Sequence, residues 1–294
     1  MKKNKIWLVV LALSVVYVFW SGYIAISLAV KTIPPLIMNG SRFVASGMIL
    51  FFIAVISGQK LPSKKEIINA SIAGILLFFG GTGLVAMAMT KVSSSISAIA
   101  ISTVPVWAVL IIGFTGKWPN KYEWTGVAAG ICGIVLLNFE NEMQANASGA
   151  ILLILASVLW AGGSVVAATF KMPEGIMGNA VAMLAGGIVN YIAAVFLGEK
   201  MIGMPSAASL AGISYLIIFS GVIGFSAYIW LFKNTSPALA TSYAYVNPIG
   251  AILIGVGVAG EKISYHGLLA LVAILVAVVL VAYGQKKGFN KNKV

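Results

Sequence analysis

Apolar runs of about twenty residues follow one another along the chain, separated by short stretches that hold most of the Lys, Pro and Asn. A bilayer core about 30 Å thick takes roughly 20 helical residues to cross, so each run has the length of one crossing. The pattern predicts spans near 6–29, 36–57, 67–89, 95–115, 123–139, 148–169, 178–197, 209–231, 238–258 and 265–284. The runs are continuous rather than alternating, which favours helices over a barrel. The expected fold is therefore an all-α polytopic membrane protein of ten transmembrane helices. Connections are short, and no polar body follows an N-terminal apolar stretch as it would after a cleaved signal peptide.

Composition names the solvent. Hydrophobic residues make up 60% of the 294 and charged residues 9%, with a mean hydropathy of +1.02. A soluble domain carries about a quarter of its residues charged, so most of this surface is expected to face lipid. The net charge of +12 would suggest a nucleic-acid partner on a soluble protein; here the lysines sit in loops, where they orient helices. With the N-terminus cytoplasmic, 14 lysines fall on the inner side, and only Lys31, Lys91, Lys200 and Lys262 fall outside. That asymmetry predicts both termini on the cytoplasmic side of a bacterial inner membrane. Cys132 is the single cysteine, which excludes an intramolecular disulfide.

The chain matches itself at an offset of 140. Trp20-Ser21-Gly22 meets Trp160-Ala161-Gly162, Asn39 meets Asn179, and Gly58-Gln59-Lys60 meets Gly198-Glu199-Lys200. Phe79 and Gly81 meet Phe219 and Gly221, and the offset then grows slightly, pairing Pro105 with Pro248 and Gly116 with Gly260. This predicts two five-helix repeats, residues 1–143 and 144–294. Five is odd, so the second repeat enters from the opposite side and the halves are inverted. Such an architecture places a central cavity near the midplane and permits alternating access.

Missing residues exclude several chemistries. There is no Asp, hence neither an aspartyl-phosphate nor an aspartyl protease pair. No P-loop segment occurs, and one histidine, His266, cannot build a multi-histidine metal site. Neither an enzyme, a cofactor, a metal nor a nucleic-acid partner is expected. Every Glu lies in or beside a loop, which disfavours proton antiport through a buried carboxylate.

Arg42, the only arginine, lies inside the second span, where an ionisable group is a functional candidate by default. It contacts an anionic substrate group, snorkels to the headgroups, or braces a neighbouring helix. Trp20 and Trp160 sit mid-helix, away from the interfacial belt, as cavity walls or as packing residues. Tyr228, Trp230, Tyr243 and Tyr245 are further aromatic candidates. Asn39, which shares a helix face with Arg42, and Asn247 are the polar candidates, beside Asn179 and Asn190 within other spans. Pro105 and Pro248 each remove a helix hydrogen bond and are candidate hinges or static bends. The glycines Gly80, Gly81 and Gly83, echoed by Gly221 and Gly224, are read as close-packing positions.

Ten helices in two repeats, mid-helix Trp20 and Trp160, and Arg42-Phe43 with Ala45 resemble the drug/metabolite transporter superfamily, in particular its bacterial EamA-type exporters. Pro248 followed by Gly260-Glu261-Lys262-Ile263 is similar to that family's Pro…Gly-Glu-basic-apolar signature. The first-half counterpart, Pro105…Gly116-Lys117-Trp118, carries Lys117 in place of the Glu. The resemblance implies export of amino acids, other metabolites or toxic compounds without ATP. A multidrug exporter and a membrane scaffold or partner-dependent subunit are the alternatives; no obligate protein partner is expected.

The charge pattern is testable. In a C132S background, cysteines introduced as K31C, K200C or K262C are expected to react with an impermeant thiol reagent on intact spheroplasts. K64C and K121C are expected to react only after lysis, and the opposite pattern would reverse the orientation.

Overall fold

The computed structural model describes residues 3–19, 22–114, 118–234, 243–257 and 260–291. Eleven helices are defined as follows: α1 Lys3–Phe19, α2 Tyr23–Ala29, α3 Pro35–Ile56, α4 Lys64–Ala88, α5 Ser94–Gly113 and α6 Lys121–Leu137. After a short helical turn at Asn141–Ala145 come α7 Ala147–Thr169 and α8 Met177–Phe196. Helix α9 starts as Ala207–Tyr215 and continues through Leu216–Gly224 to Phe225–Asn234; α10 is Tyr243–Gly257 and α11 Tyr265–Lys291. Among the described residues seven helical segments are long and apolar enough to cross a membrane, namely α3, α4, α5, α7, α8, Ala207–Tyr228 of α9, and Tyr265–Gly284 of α11. Shorter apolar helices occur at Trp7–Val16 and Asn247–Gly257. The expected first span, 6–29, is divided between α1 and α2, with Trp20 outside the described residues, as are Gly116 and Lys117.

Each half finds its main packing partners in the other. Helix α3 packs along α8, and α6 along α11. The small residues Gly40, Gly47, Ala180 and Gly187 bring α3 and α8 into close backbone approach, as membrane helices associate when lipid offers no hydrophobic drive. The outer faces expose Phe52, Ile56, Val195, Phe196 and Leu253; a belt of this kind is stable only against lipid.

Two features depart from simple helices. Helix α4 contains π turns at Ile75–Gly81 and α9 contains them at Leu216–Gly224, at repeat-related places. Helix α5 stops at Ile101 and resumes at Val104. Pro105 occupies the first turn of the resumed segment, where its missing N–H is no loss. At the break the Ala98 and Ala100 carbonyls keep backbone donors, Ser102 N–H and Thr103 N–H at 3.2 Å, and also accept from Ser102 Oγ and Thr103 Oγ1, each 2.7 Å. The bend expected at Pro105 is thus a break one turn earlier, supported by hydroxyls. Pro248 lies within α10.

Carboxylates close helix ends. Gly58 and Gly198, with φ of 69° and 71°, end α3 and α8 in left-handed turns that only glycine adopts freely. Each turn aims the next residue at the start of the opposite helix. The Glu199 carboxylate accepts from Leu36 and Ile37 N–H at 3.0 Å, capping α3, and Gln59 Oε1 accepts from Met177 N–H at 3.3 Å, capping α8. Glu261 accepts from the N–H groups of Ser94 and Ser95, both 2.9 Å, and from their hydroxyls. Glu140 accepts from Ser264 N–H at 3.0 Å, while Glu66 and Glu123 complete capping boxes with Ser63 and Asn120. Charge-assisted caps of this kind complement the positive helix N-terminus.

Loss of the charged cap in E199A is expected to destabilise the fold by about 1–2 kcal/mol, and loss of the neutral one in Q59A by less. Thermal unfolding in detergent measures both; an equal effect would remove the charge argument. Partial burial of Glu261 works to raise its pKa, but the hydrogen bonds from Ser94 and Ser95 outweigh it and hold the carboxyl below its ordinary range. Its contribution is therefore complete at neutral pH and is lost as pH falls through that depressed value. The expected result is that E261Q is less stable at pH 7 and loses part of the wild-type destabilisation on acidification; an unchanged pH profile would contradict it.

Candidate functional site

A cavity of about 480 Å³ lies between the two halves. Tyr23 and Ile26 of α2, Arg42 and Phe43 of α3, Phe78, Thr82 and Val85 of α4, and Ile101 to Ile112 of α5 form its first-half wall. Trp160 to Thr169 of α7, Ser220, Phe225 and Tyr228 of α9, and Asn247 of α10 form the other. The breaks described above are what bring these groups inward. The interruption of α5 sets Ser102 and Pro105 on the wall, and the π turn of α9 does the same for Ser220.

Arg42 is buried, 5% exposed, which rules out snorkelling to the headgroups. Its Nη2 donates to Ser220 Oγ at 3.4 Å, and its guanidinium carbon lies 4.4 Å from the Phe43 ring centroid. Nε and Nη1 have no hydrogen-bond partner among the described residues. Asn247 Oδ1, on the opposite wall, is likewise buried without a partner. The apolar wall between is aromatic: Phe78 lies 4.5 Å from Phe43 and 5.6 Å from Phe225, centroid to centroid. Gly81 makes room for the Trp160 ring, since a Cβ there would approach it to 3.0 Å. Among the described lining residues there is no carboxylate or histidine.

Of the residues singled out from the sequence, Arg42, Trp160, Tyr228, Asn247 and Pro105 line the cavity. Trp20 lies outside the described residues, as does the Tyr245 side chain. Asn39 requires correction, because it stands behind the wall rather than on it. Fully buried, its Nδ2 donates to the Phe78 carbonyl at 2.7 Å, to Thr82 Oγ1 at 3.1 Å and to Asn190 Oδ1 at 3.2 Å. Asn190 Nδ2 donates to the same carbonyl at 3.0 Å and to Gly186 O at 2.7 Å. Thr82 Oγ1 donates to it as well at 2.8 Å, so a hydroxyl and amides from both halves converge on this carbonyl of the π turn. Pro248, read as a possible hinge, sits near the cavity only through its neighbour Asn247. His266 is exposed, with its ring 5.9 Å from Phe139. Sequence reasoning missed Phe43, Phe78, Phe225 and Ser220; a π turn leaves no signature in an apolar run, although the clustered glycines mark where one fits.

A multi-helix membrane protein with one polar-and-aromatic cavity between paired halves has the form of a small-solute transporter. The EamA-like transporter family model matches the chain twice, over residues 6–139 and 147–283, and the chain belongs to that family. It is 41% identical over 276 residues, covering 93% of this chain and 90% of the relative, to "Uncharacterized inner membrane transporter YedA" of Escherichia coli K12. It is 24% identical to "Protein PagO" of Salmonella typhimurium, covering 94% and 93%, and 24% identical to "Uncharacterized transporter YoaV" of Bacillus subtilis, covering 83% and 85%. A solved crystal structure 18% identical to it shares the fold with a TM-score of 0.65, covering 97% of this chain and 100% of that one. The protein is thus a multi-pass inner-membrane transporter of the drug/metabolite superfamily, in contact with the lipid bilayer.

Removing the shared amide support is expected to show in stability. N190A deletes two donors and the acceptor used by Asn39, and should cost about 1–2 kcal/mol, read as a lowered unfolding midpoint in detergent. An unchanged midpoint would mean that Asn39 and Thr82 suffice for the Phe78 carbonyl.

Proposed function

We propose that this protein is a secondary transporter or facilitator that exports small organic metabolites, amino acids or related compounds, across the inner membrane by alternating access. The proposal takes the three shorter helices α1, α6 and α10 as crossings in addition to the seven long ones, ten in all, with both termini cytoplasmic. Residues 1–143 and 144–294 are then two inverted five-helix repeats that rock against one another around the cavity.

One observation carries the reading: a single cavity lined from both halves by a buried cation, amide and hydroxyl groups and an aromatic wall. Its volume of about 480 Å³ falls within the usual range for small-molecule sites. Trp160, Arg42, Tyr228 and Asn247 are the proposed substrate contacts, with Pro105 and Pro248 at the bends about which the halves move. The carboxylates described above cap helix ends instead of facing this cavity, so the reading requires neither a cofactor nor a titrating carboxylate. Direction follows from the family resemblance and is part of the proposal.

The test is counterflow in liposomes containing purified protein, with labelled amino acids and with or without a pH gradient. Saturable exchange that W160A abolishes is the expected result, with little effect of the gradient. Absence of flux for every amino acid would refute the amino-acid proposal, and strong gradient dependence would refute the uncoupled one.

A further inference from the structure

We infer that Arg42 is the specificity-determining contact for an anionic group on the substrate, a carboxylate in a compact solute, with Asn247 taking a hydrogen-bond donor at the other wall. The inference rests on the transport reading of this cavity and adds the polarity its occupant must have.

Arg42 is electrostatically unbalanced within the protein. A guanidinium presents five N–H donors in a planar fork, and a buried cation without a counter-charge is strongly unfavourable. Arg42 has one hydrogen bond among the described residues, a 3.4 Å contact from Nη2 to the neutral Ser220 hydroxyl. The Phe43 ring beneath it offers only a weak, non-directional attraction. Nε and Nη1 are left over. Each bidentate edge of the fork joins Nη2 to either Nε or Nη1, and the single contact to Ser220 uses at most one of the two Nη2 N–H groups, so one edge stays open to a carboxylate with two parallel bonds. No acidic residue lines the cavity among the described residues. The acidic groups stand elsewhere, with Glu66, Glu123, Glu140, Glu199 and Glu261 held on helix N-termini. The counter-charge therefore has to arrive with the solute.

Opposite charge preferences follow for the rest of the occupant. Asn247 Oδ1 is an acceptor on the same cavity without a partner among the described residues, so it favours an ammonium or hydroxyl group. The same cavity is lined by Phe43, Phe78, Phe225 and Trp160, which favour an apolar or aromatic body. A compact apolar cation meets the aromatic wall but also meets Arg42 without relief. The same feature therefore weighs against the multidrug alternative.

The experiment compares three probes with one phenyl ring: 3-phenylpropanoate, L-phenylalanine and phenethylamine. Saturable rise of the unfolding midpoint of purified protein in detergent measures binding, and proteoliposome flux measures transport. The two carboxylates are expected to bind at least about tenfold more tightly than phenethylamine, as a lost charge pair in a desolvated site implies. R42Q removes the cation together with its contact to Ser220, so S220D supplies the decisive arm. It sets an internal carboxylate beside Nη2, so the fold is retained while 3-phenylpropanoate binding falls at least about tenfold.

Phenethylamine binding as tightly as the acids, no response to either acid, or S220D leaving acid affinity unchanged would each overturn the inference. Flux of phenethylamine that R42Q leaves intact would overturn it while the transport reading stands. Acid binding that S220D abolishes, without flux of any probe, would keep the anion site and sink the transport reading.

Discussion

Backbone amides and carbonyls cannot be left unpaired in hydrocarbon, and the architecture follows from meeting that requirement wherever a helix stops, bends or bulges. Helix N-termini receive carboxylates or amides, several from the opposite half: Glu199 closes α3, Gln59 closes α8 and Glu261 closes α5. At the break in α5 the hydroxyls of Ser102 and Thr103 add second hydrogen bonds to the Ala98 and Ala100 carbonyls. The Phe78 carbonyl in the π turn of α4 accepts from Asn39, Thr82 and Asn190. Satisfying one half's backbone with the other half's side chains ties the two into one structure.

The cavity inherits its electrostatics from this arrangement. With the described capping carboxylates committed to helix ends, Arg42 faces the interior without an acidic neighbour among the described residues. The π turn of α9 that brings Ser220 to Arg42 also lets Ser46 of α3 donate to the Ile217 carbonyl at 3.1 Å. A structural device, the bulge, thereby positions a group of the site. The same holds for Pro105 and Ser102, which support the broken helix and line the cavity. Site and scaffold are built from the same irregularities, as expected where non-helical backbone in a membrane faces a cavity.

Membership of the EamA-like family explains the double architecture, since one model matches each half. It also sharpens where the halves differ. Arg42 stands opposite Ala182 in the repeat register, and the Glu of the second-half signature stands opposite Lys117. The two matched segments thus differ at these positions, and the buried cation of the cavity, Arg42, comes from the first.

Legibility followed the range of the interaction. Local rules were enough for the membrane environment and the helical character, because each depends on composition or on neighbours within a turn or two. Arg42 and Trp160 stood out because a charge or a lone indole in mid-span is anomalous wherever it points. Tertiary structure alone decided that Asn39 supports the wall from behind, and that Ser220, Phe78 and Phe225 join the cavity. It alone assigned Glu199 and Glu261 to helix ends more than 160 residues away. The physical reason is that hydrophobic pattern sets which residues leave water. Which buried polar groups meet is set by helix register, and that register depends on close packing between segments distant in the chain.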